Sequence, residues 1–476
     1  MAAIRFLLNG EAREETTVSP TMMVMDWLRT RAQLTGTKEG CREGDCGACT
    51  IGITRIVGGR PLYQAMNSCL MVMPQLDGAS VLTVEGLATF DRSLHAVQQA
   101  LVDADATQCG FCTPGFVMAL LALYHDSAPT SDETIHDCLA GNLCRCTGYR
   151  PIVDAARGIA GQGAASHPCH TNVSLLASLD RLDDYQCCEQ RFIAPATADD
   201  LARALHAYPD ALLLAGGTDL GIAISKNATA PPVVVSTARV GELQRVVEDG
   251  DSVVIGGAAT YSQSLPAIDH WFPSFGALIR RLGSRQIRNL GTIAGNVVTA
   301  SPIGDTLPVL MVLGASVTLR SASGKRTLQI EDFITGYRAT ALQRGEFIET
   351  IRIPKLKRSQ QLFVYKLSKR FDQDISTIIA AFVIALQDGT LQDLRAYYGG
   401  MADRPKRART LESSLIGRKW TLQLLANVET TLAQDFTPVS DHRGSSEYRL
   451  RAAGNLVRRL FHENHDATIP LRVELL

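Results

Sequence analysis

Ile4, Phe6 and Leu8 alternate with Arg5 and Leu7, and Asn9-Gly10 then supplies a two-residue turn, so the chain opens with a strand that folds back as a hairpin. Ser19-Pro20 opens a helix predicted over 22–33, with Pro early, where its missing N–H costs nothing. A Gly-rich loop at 36–49 leads to strand-like runs at 50–56 and 80–84, which together predict a small α+β domain. From Ser93 to Gly161 the period changes: Leu94, Val97, Ala100 and Leu101 recur at helical spacing. Thr113 reads as an N-cap before Pro114 and an apolar helix; Ser131 opens a third helix with an incomplete capping box, Thr134 standing where an acid would, though Asp132 and Glu133 suit its first turn; and Pro151 begins a fourth. This stretch predicts a compact helical bundle.

Residues 161–178 carry Gly, Ser and Pro without periodicity and read as a linker. Gly161-Gln162-Gly163 loosely resembles a dinucleotide fingerprint, but it follows a helix rather than a strand, and His167-Pro168 interrupts what comes next. Beyond it, apolar strands at 211–215, 233–236, 253–257, 316–320 and 347–353 alternate with short helical stretches. A strand pair at 363–367 and 378–386, then helices at 421–432 and 445–462, predict a smaller C-terminal subdomain.

Composition narrows the class. The 476 residues suggest roughly three domains at about 150 residues each. Lys+Arg 47 against Asp+Glu 48 leaves no global field for nucleic acid or an anionic membrane. No apolar run approaches the roughly 20 residues that cross a bilayer, and the first apolar run is too short for a signal segment. The expectation is a cytoplasmic protein whose thiols stay reduced. In that setting the 12 Cys, eight of them in two tight sets, point to metal rather than disulfides.

Cys41, Cys46, Cys49 and Cys69 read C-x4-C-x2-C…C within GCREGDCGACT, the plant-type 2Fe–2S spacing. Gly40, Gly44 and Gly47 let the backbone fold closely around a cluster and present N–H groups to it. The alternative is structural zinc or unligated buried thiols. Cys109 and Cys112 (QCGFCTPG) with Cys144 and Cys146 (NLCRCTGYR) form the second set, which taken alone also suits zinc. Two such sets in consecutive domains favour a redox pair. Cys138, Cys169, Cys187 and Cys188 read as buried small hydrophobes or linker residues.

A third signal is the strand at 211–215 running into Gly216-Gly217-Thr218-Asp219, where successive N–H groups can form a nest for a pyrophosphate, although such a turn is often only a turn. Gly291-Thr292-Ile293-Ala294-Gly295-Asn296 offers a hydroxyl, an amide and two glycines, and Asp305 a carboxylate for ribose or ribityl hydroxyls. No nucleophile set and no metal-binding histidine pair for oxidising an organic substrate is evident.

The order GCREGDCGACT, QCGFCTPG and CRCTGYRPI, followed by LLAGGTDLG, TIAGN and SPIGD, closely resembles the iron–sulfur and FAD-binding chain of bacterial molybdenum hydroxylases of the xanthine oxidase family. The resemblance implies an α+β multidomain fold. It comprises a β-grasp 2Fe–2S ferredoxin domain (1–86), a four-helix 2Fe–2S bundle (87–161), a linker (162–190), a two-lobed FAD-binding domain of the PCMH/vanillyl-alcohol-oxidase-like type (191–357) and a small α+β C-terminal domain (358–476). It implies two 2Fe–2S clusters on the eight cysteines. It implies FAD contacts from Leu213, Leu214, Ala215, Gly216, Gly217, Thr218, Asp219, Leu220, Thr292, Gly295, Asn296, Asp305, Ile348 and Lys366. For Lys366 the alternative is a solvated strand charge. Tyr337 of Gly336-Tyr337-Arg338 would lie near the flavin face that NAD approaches, with Asp372 and Asp374 nearby, but one acidic family position is Gln373 here.

The implied activity is electron relay: a larger partner subunit carries molybdopterin and hydroxylates the substrate, and electrons pass through the clusters to FAD and then NAD. The assembly implied is a dimer of heterodimers. The fused iron–sulfur/FAD layout favours purine oxidation, with aldehyde or N-heterocycle hydroxylation as the alternative. A self-contained NADH-dependent iron–sulfur flavoprotein reductase needs the same cofactors, and a zinc scaffold needs none of them.

Overall fold

The computed structural model describes residues 2–87, 93–126, 131–159 and 172–465. The chain divides into two compact units: residues 1–241 with 260–262 and 283–291, and the remainder to 476. Among the described residues no helix is long and apolar enough to cross a membrane.

The first unit begins with the expected hairpin. β1 (Ile4–Leu8) and β2 (Glu11–Glu15) pair antiparallel, with Leu8 opposite Glu11 across Asn9-Gly10, both at positive φ. β3 (Thr50–Val57), β4 (Arg60–Asn67) and β5 (Ser80–Leu82) complete a mixed sheet of order β2-β1-β5-β3-β4, in which β1 and β5 run parallel. The first helix is Val24–Thr30, shorter than 22–33, because Met23 bridges Val72 and the Val24 N–H donates to Met71 O. Its Trp27 packs edge-on against Phe6 at 5.4 Å in a core with Leu28, Ile51 and Val81.

Four helices follow: Ala96–Asp103, Thr113–Tyr124, Asp132–Leu139 and Arg150–Ile159. Helix Thr113–Tyr124 is nearly all buried, as its unbroken apolar run predicts, and packs with Val97, Ile135 and Ile152. Its N-cap is Cys112 rather than Thr113, whose hydroxyl instead meets that of Thr107 at 2.7 Å. Ser131 caps as expected, accepting from Thr134 N.

Of the stretch expected to be linker, residues up to 171, including Cys169 and Gly161-Gln162-Gly163, lie outside the described residues. Its remainder holds a helix, Val173–Ala177, and β6 (Asp184–Cys187). β6 turns into β7 (Gln190–Ile193), and with β8 (Leu212–Leu214) and β9 (Val233–Ser236) these form a sheet of order β6-β7-β9-β8.

The second unit holds a five-stranded sheet of order β10-β11-β16-β12-β13, built from β10 (Val246–Asp249), β11 (Ser252–Gly256), β12 (Ser316–Ser321), β13 (Gly324–Gln329) and β16 (Phe347–Pro354). A short hairpin, β14 (Ile334–Gly336) and β15 (Ala339–Thr340), sits between the last two in sequence. A second sheet runs β17 (Gln360–Leu367), β18 (Ile378–Gln387), β19 (Thr390–Gly399) and β20 (Lys406–Arg407). β18 is a continuous apolar run, buried from Ile378 to Ala385, the pattern of a central strand covered on both faces. Helix Ser446–His465 contributes Val457, Leu460 and Phe461 to the core shared with Phe382 and Tyr398. The helix expected at 421–432 is a 3-10 turn, Leu422–Leu425, and a separate helix, Val428–Asp435.

Candidate functional site: two thiol sets and a flavin-type turn

The loop after the first helix wraps Cys41. Its Sγ accepts from the backbone N–H groups of Glu43 (3.4 Å), Asp45 (3.3 Å) and Cys46 (3.3 Å), while Cys41 N donates to Cys46 Sγ at 3.3 Å. Gly40 permits this, since a Cβ there would lie 2.6 Å from the Cys46 sulfur. Cys49 and Cys69 are buried with Met25 and Leu70, and Ser68 ties their two segments by donating from Oγ to Cys49 O at 2.7 Å. Contact with the Cys46 thiol, together with backbone N–H groups, lowers Cys41 to about 5, while Cys46 is pushed up. The Cys69 thiol likewise lowers Cys49 and is itself raised. The set therefore falls into two pairs, and in each the surroundings shift one sulfur toward the thiolate, the form that ligates metal.

The second set has the same arrangement. Cys109 and Cys146 lie at the surface with sulfurs 3.5 Å apart. Cys112, at the N-cap, and buried Cys144 make the other contact. Burial pushes Cys112 up to about 12. Burial opposes ionisation of Cys144 as well, but the Thr147 hydroxyl and the N–H groups of Thr147 and Cys146 (both 3.4 Å) hold it below the ordinary thiol value. Cys144 is anchored by its own N–H, which donates to Tyr149 Oη at 3.0 Å.

Among the described residues no group of three or more His, Cys, Asp or Glu side chains converges on a single ion. Two pairs per set suit a binuclear cluster, in which each iron takes two thiolates, better than one tetrahedral zinc.

The two sets also meet through backbone. Leu143 N donates to Cys46 O at 3.0 Å, and Asn142 Nδ2 donates to Gly47 O at 3.0 Å. Gln286 Nε2 donates to Asn142 Oδ1 at 2.8 Å, and Asp137 holds Arg285 and Arg288. Gly47 has φ 68°, and a Cβ on it would fall 2.2 Å from Gly141 O. Sequence reading missed Asn142 and Gln286, because nothing in their local pattern marks them.

In the first unit β8 runs into Gly216-Gly217, and helix Thr218–Asn227 starts there, with Gly217 as N-cap at φ 79°, a residue that has no side chain to cap the helix. Such a helix start suits an anion. The glycines have packing roles too. A Cβ on Gly216 would lie 1.7 Å from Leu290 O, and one on Gly221 would lie 2.5 Å from Leu70 O. Leu213 and Leu214 sit on β8 opposite Val235 and Ser236, Leu220 packs on the core beneath, and Asp219 is in the first helical turn.

In the second unit Thr292 caps helix Ile293–Thr299 by accepting from Gly295 N at 2.9 Å, and Asn296 Oδ1 accepts from the Thr306 hydroxyl at 2.6 Å. Asp305 Oδ2 pairs with Lys366 Nζ at 2.6 Å and Oδ1 accepts from Ser376 Oγ at 2.6 Å. Lys366 is thus no solvated strand charge: its side chain is 3% exposed. Ile348 is buried on β16, opposite Leu319. Beside Lys366 opens a cavity of 340 Å³ whose lining includes Arg281, Lys369, Arg370, Phe371 and Arg459. Arg281 lies 4.3 Å over the Phe371 ring and donates to Lys366 O and Phe371 O. Tyr337 is 65% exposed between β14 and β15. Gln373, at φ 49°, accepts at its carbonyl from Arg370, whose N–H donates to Asp374.

Four known protein families match successive stretches of the chain. Residues 6–73 match the 2Fe-2S iron-sulfur cluster binding domain, 83–157 the [2Fe-2S] binding domain, 186–356 the FAD binding domain in molybdopterin dehydrogenase, and 363–464 the CO dehydrogenase flavoprotein C-terminal domain. The chain is 31% identical to xanthine dehydrogenase/oxidase of Gallus gallus, across 93% of this chain and 38% of that one. It is 28% identical to aldehyde oxidase 2 of Cavia porcellus, across 88% of this chain and 36% of that one. It therefore spans little more than a third of these relatives' length. Among solved structures, reconstituted CO dehydrogenase from Oligotropha carboxidovorans matches with TM-score 0.53 and 29% identity, over 56% of this chain and 94% of that one. With two 2Fe–2S domains, an FAD-binding domain and a flavoprotein C-terminal domain in this order, the chain belongs to the molybdenum hydroxylase family as its iron–sulfur and FAD-binding region.

Proposed function

We propose that the chain is the electron-transfer part of a xanthine dehydrogenase. It takes electrons from a molybdopterin-bearing partner subunit that hydroxylates hypoxanthine and xanthine, and it delivers them through two 2Fe–2S clusters and FAD to NAD. The observation that carries the reading is the pairing of eight thiols, two pairs in each set, with Leu143 N donating to Cys46 O between the sets. When bound, the clusters supply one-electron steps and the flavin exchanges between one- and two-electron chemistry.

Cys41, Cys46, Cys49 and Cys69 hold one cluster in this reading, and Cys109, Cys112, Cys144 and Cys146 the other. Backbone N–H groups of Glu43, Asp45 and Cys46 stabilise negative charge on the first, and those of Cys146 and Thr147 on the second. In this reading Leu213 to Leu220 serve the FAD pyrophosphate, and Thr292, Gly295, Asn296, Asp305, Ile348 and Lys366 are further flavin contacts. The cationic cavity beside Lys366 suits a phosphate-bearing acceptor such as NAD, with Tyr337 at the flavin face. The domain boundaries at 86, 161, 190 and 357, the cytoplasmic setting and a dimer of heterodimers belong to the same reading.

The relative named aldehyde oxidase favours a second reading, relay for an aldehyde or N-heterocycle hydroxylase. Purification from the source with co-purifying chains, followed by turnover assays, separates the two. Urate and NADH formed from xanthine and NAD support the first. Turnover of an aldehyde or quinoline but not xanthine supports the second, and absence of any molybdenum-bearing partner contradicts both.

A further inference from the structure

Two cysteines with no place in either cluster set stand side by side on the β6–β7 hairpin. The two turn residues, Cys188 and Glu189, adopt left-handed backbone (φ 56° and 62°) and close the pair Cys187–Gln190. This turn brings the Cys187 and Cys188 sulfurs to 2.9 Å. Cys188 is exposed and Cys187 half-buried, so one thiol faces solvent and the other waits behind it. The hairpin is pinned from beneath: Tyr185 Oη donates to Val18 O at 2.7 Å, and Gln190 accepts from Thr21 Oγ1 at 3.0 Å and donates to Pro231 O at 3.0 Å. The thiols are therefore held together by a fixed turn rather than meeting by chance in a loose loop. The Cys188 sulfur and burial both push the Cys187 thiol up, and the exposed Cys188 is the thiol that a dissolved disulfide meets first.

We propose that Cys187 and Cys188 form a vicinal dithiol that exchanges with small-molecule disulfides such as oxidised glutathione. The Cys188 thiolate attacks one sulfur of the small disulfide. A bond forms between them, the small disulfide's S–S bond breaks, and one thiolate leaves and takes a proton from water. Cys187 then gives its proton to solvent and attacks the Cys188 sulfur, expelling the second small thiol. Two protein thiols are oxidised by two electrons, and one disulfide is reduced to two thiols. The ring closed this way contains a single peptide unit, so it is strained, and an exposed strained disulfide is readily reduced. The site is thus a reversible redox mark. Ring closure must twist the peptide between the two cysteines, so it acts on the pairing of Cys187 with Gln190 at the edge of the sheet.

The test uses the full chain with its cofactors, treated anaerobically with oxidised glutathione, alkylated and cleaved with trypsin. The fragment from Leu182 to Arg191 carries both thiols and no other cysteine. In the unaltered protein it should become unreactive to alkylation and lighter by two hydrogens, reverting with dithiothreitol while iron content stays constant. Cys187→Ser should retain a glutathione adduct on Cys188, and Cys188→Ser should react more slowly by about tenfold or more. A doubly alkylated fragment after treatment, a glutathione adduct that never closes in the unaltered protein, or a cross-link between two chains would each overturn the proposal.

Discussion

The backbone N–H of Leu143 donates to the carbonyl of Cys46 at 3.0 Å, so the residue before Cys144 is hydrogen-bonded to a cysteine of the other set. Within the proposed relay this is a short covalent and hydrogen-bonded route between clusters. Gly47→Ala should break it, because its Cβ would meet Gly141 O and φ 68° is strained for alanine by roughly 1–2 kcal/mol. Both clusters should still assemble, with weaker spin–spin interaction between their paramagnetic resonance signals. An unchanged interaction in a folded variant would remove the route.

Cys112→Ser or Cys146→Ser should abolish one 2Fe–2S signal and leave FAD and the other cluster in place. Cys49→Ser should do the converse. Loss of both signals from either substitution would contradict two separate clusters.

Much of this was legible because it is local. Two-residue turns such as Asn9-Gly10, the C-x4-C-x2-C spacing and the apolar run of β18 each carry their structure within a few residues. What escaped depends on distant partners. β19 was missed because Asp393 and Arg395 interrupt its apolar pattern, and the strand is fixed by pairing with β18. Gly216 and Gly217 read as part of a phosphate nest, yet Gly216 is also demanded by the Leu290 backbone. Lys366 could be read as solvated until Asp305, 61 residues away, was placed beside it.

Gly217 and Gly216 should accordingly fail in different ways. Gly217→Val adds a side chain at the helix start and strains φ 79°, so FAD occupancy should fall about tenfold or more while both clusters remain. Gly216→Val collides with Leu290 O and should reduce soluble, folded protein. Full FAD occupancy in Gly217→Val, measured by flavin absorbance per chain, would sink the assignment of this turn to the flavin.

Lys366→Met should destabilise the second unit by about 3–5 kcal/mol, since it strands Asp305 in a nearly water-free site. Adding Asp305→Asn should recover part of that loss. Denaturant unfolding of the single and double variants measures it, and strictly additive losses would mean the pair is not coupled.

Hydrogen bonding from Arg326, at 2.7 Å to each Glu346 oxygen, holds the Glu346 carboxyl below its usual range, although burial opposes this. A carboxyl depressed in the folded chain contributes stability that is present above its unfolded value, roughly 4.3, and is lost as pH falls through the folded value. Glu346→Gln should therefore cost on the order of 1 kcal/mol at pH 7, since Arg326 is partly solvated, and should shrink the loss of stability on acidification. An unchanged pH profile of unfolding would remove this pair from the acid response.

The most direct test of the relay is the iron, acid-labile sulfide and FAD content of the chain purified without reducing agents. About four irons, four sulfides and one FAD per chain are predicted. Zinc in place of iron, or about two irons with one cysteine set freely alkylated, would contradict it.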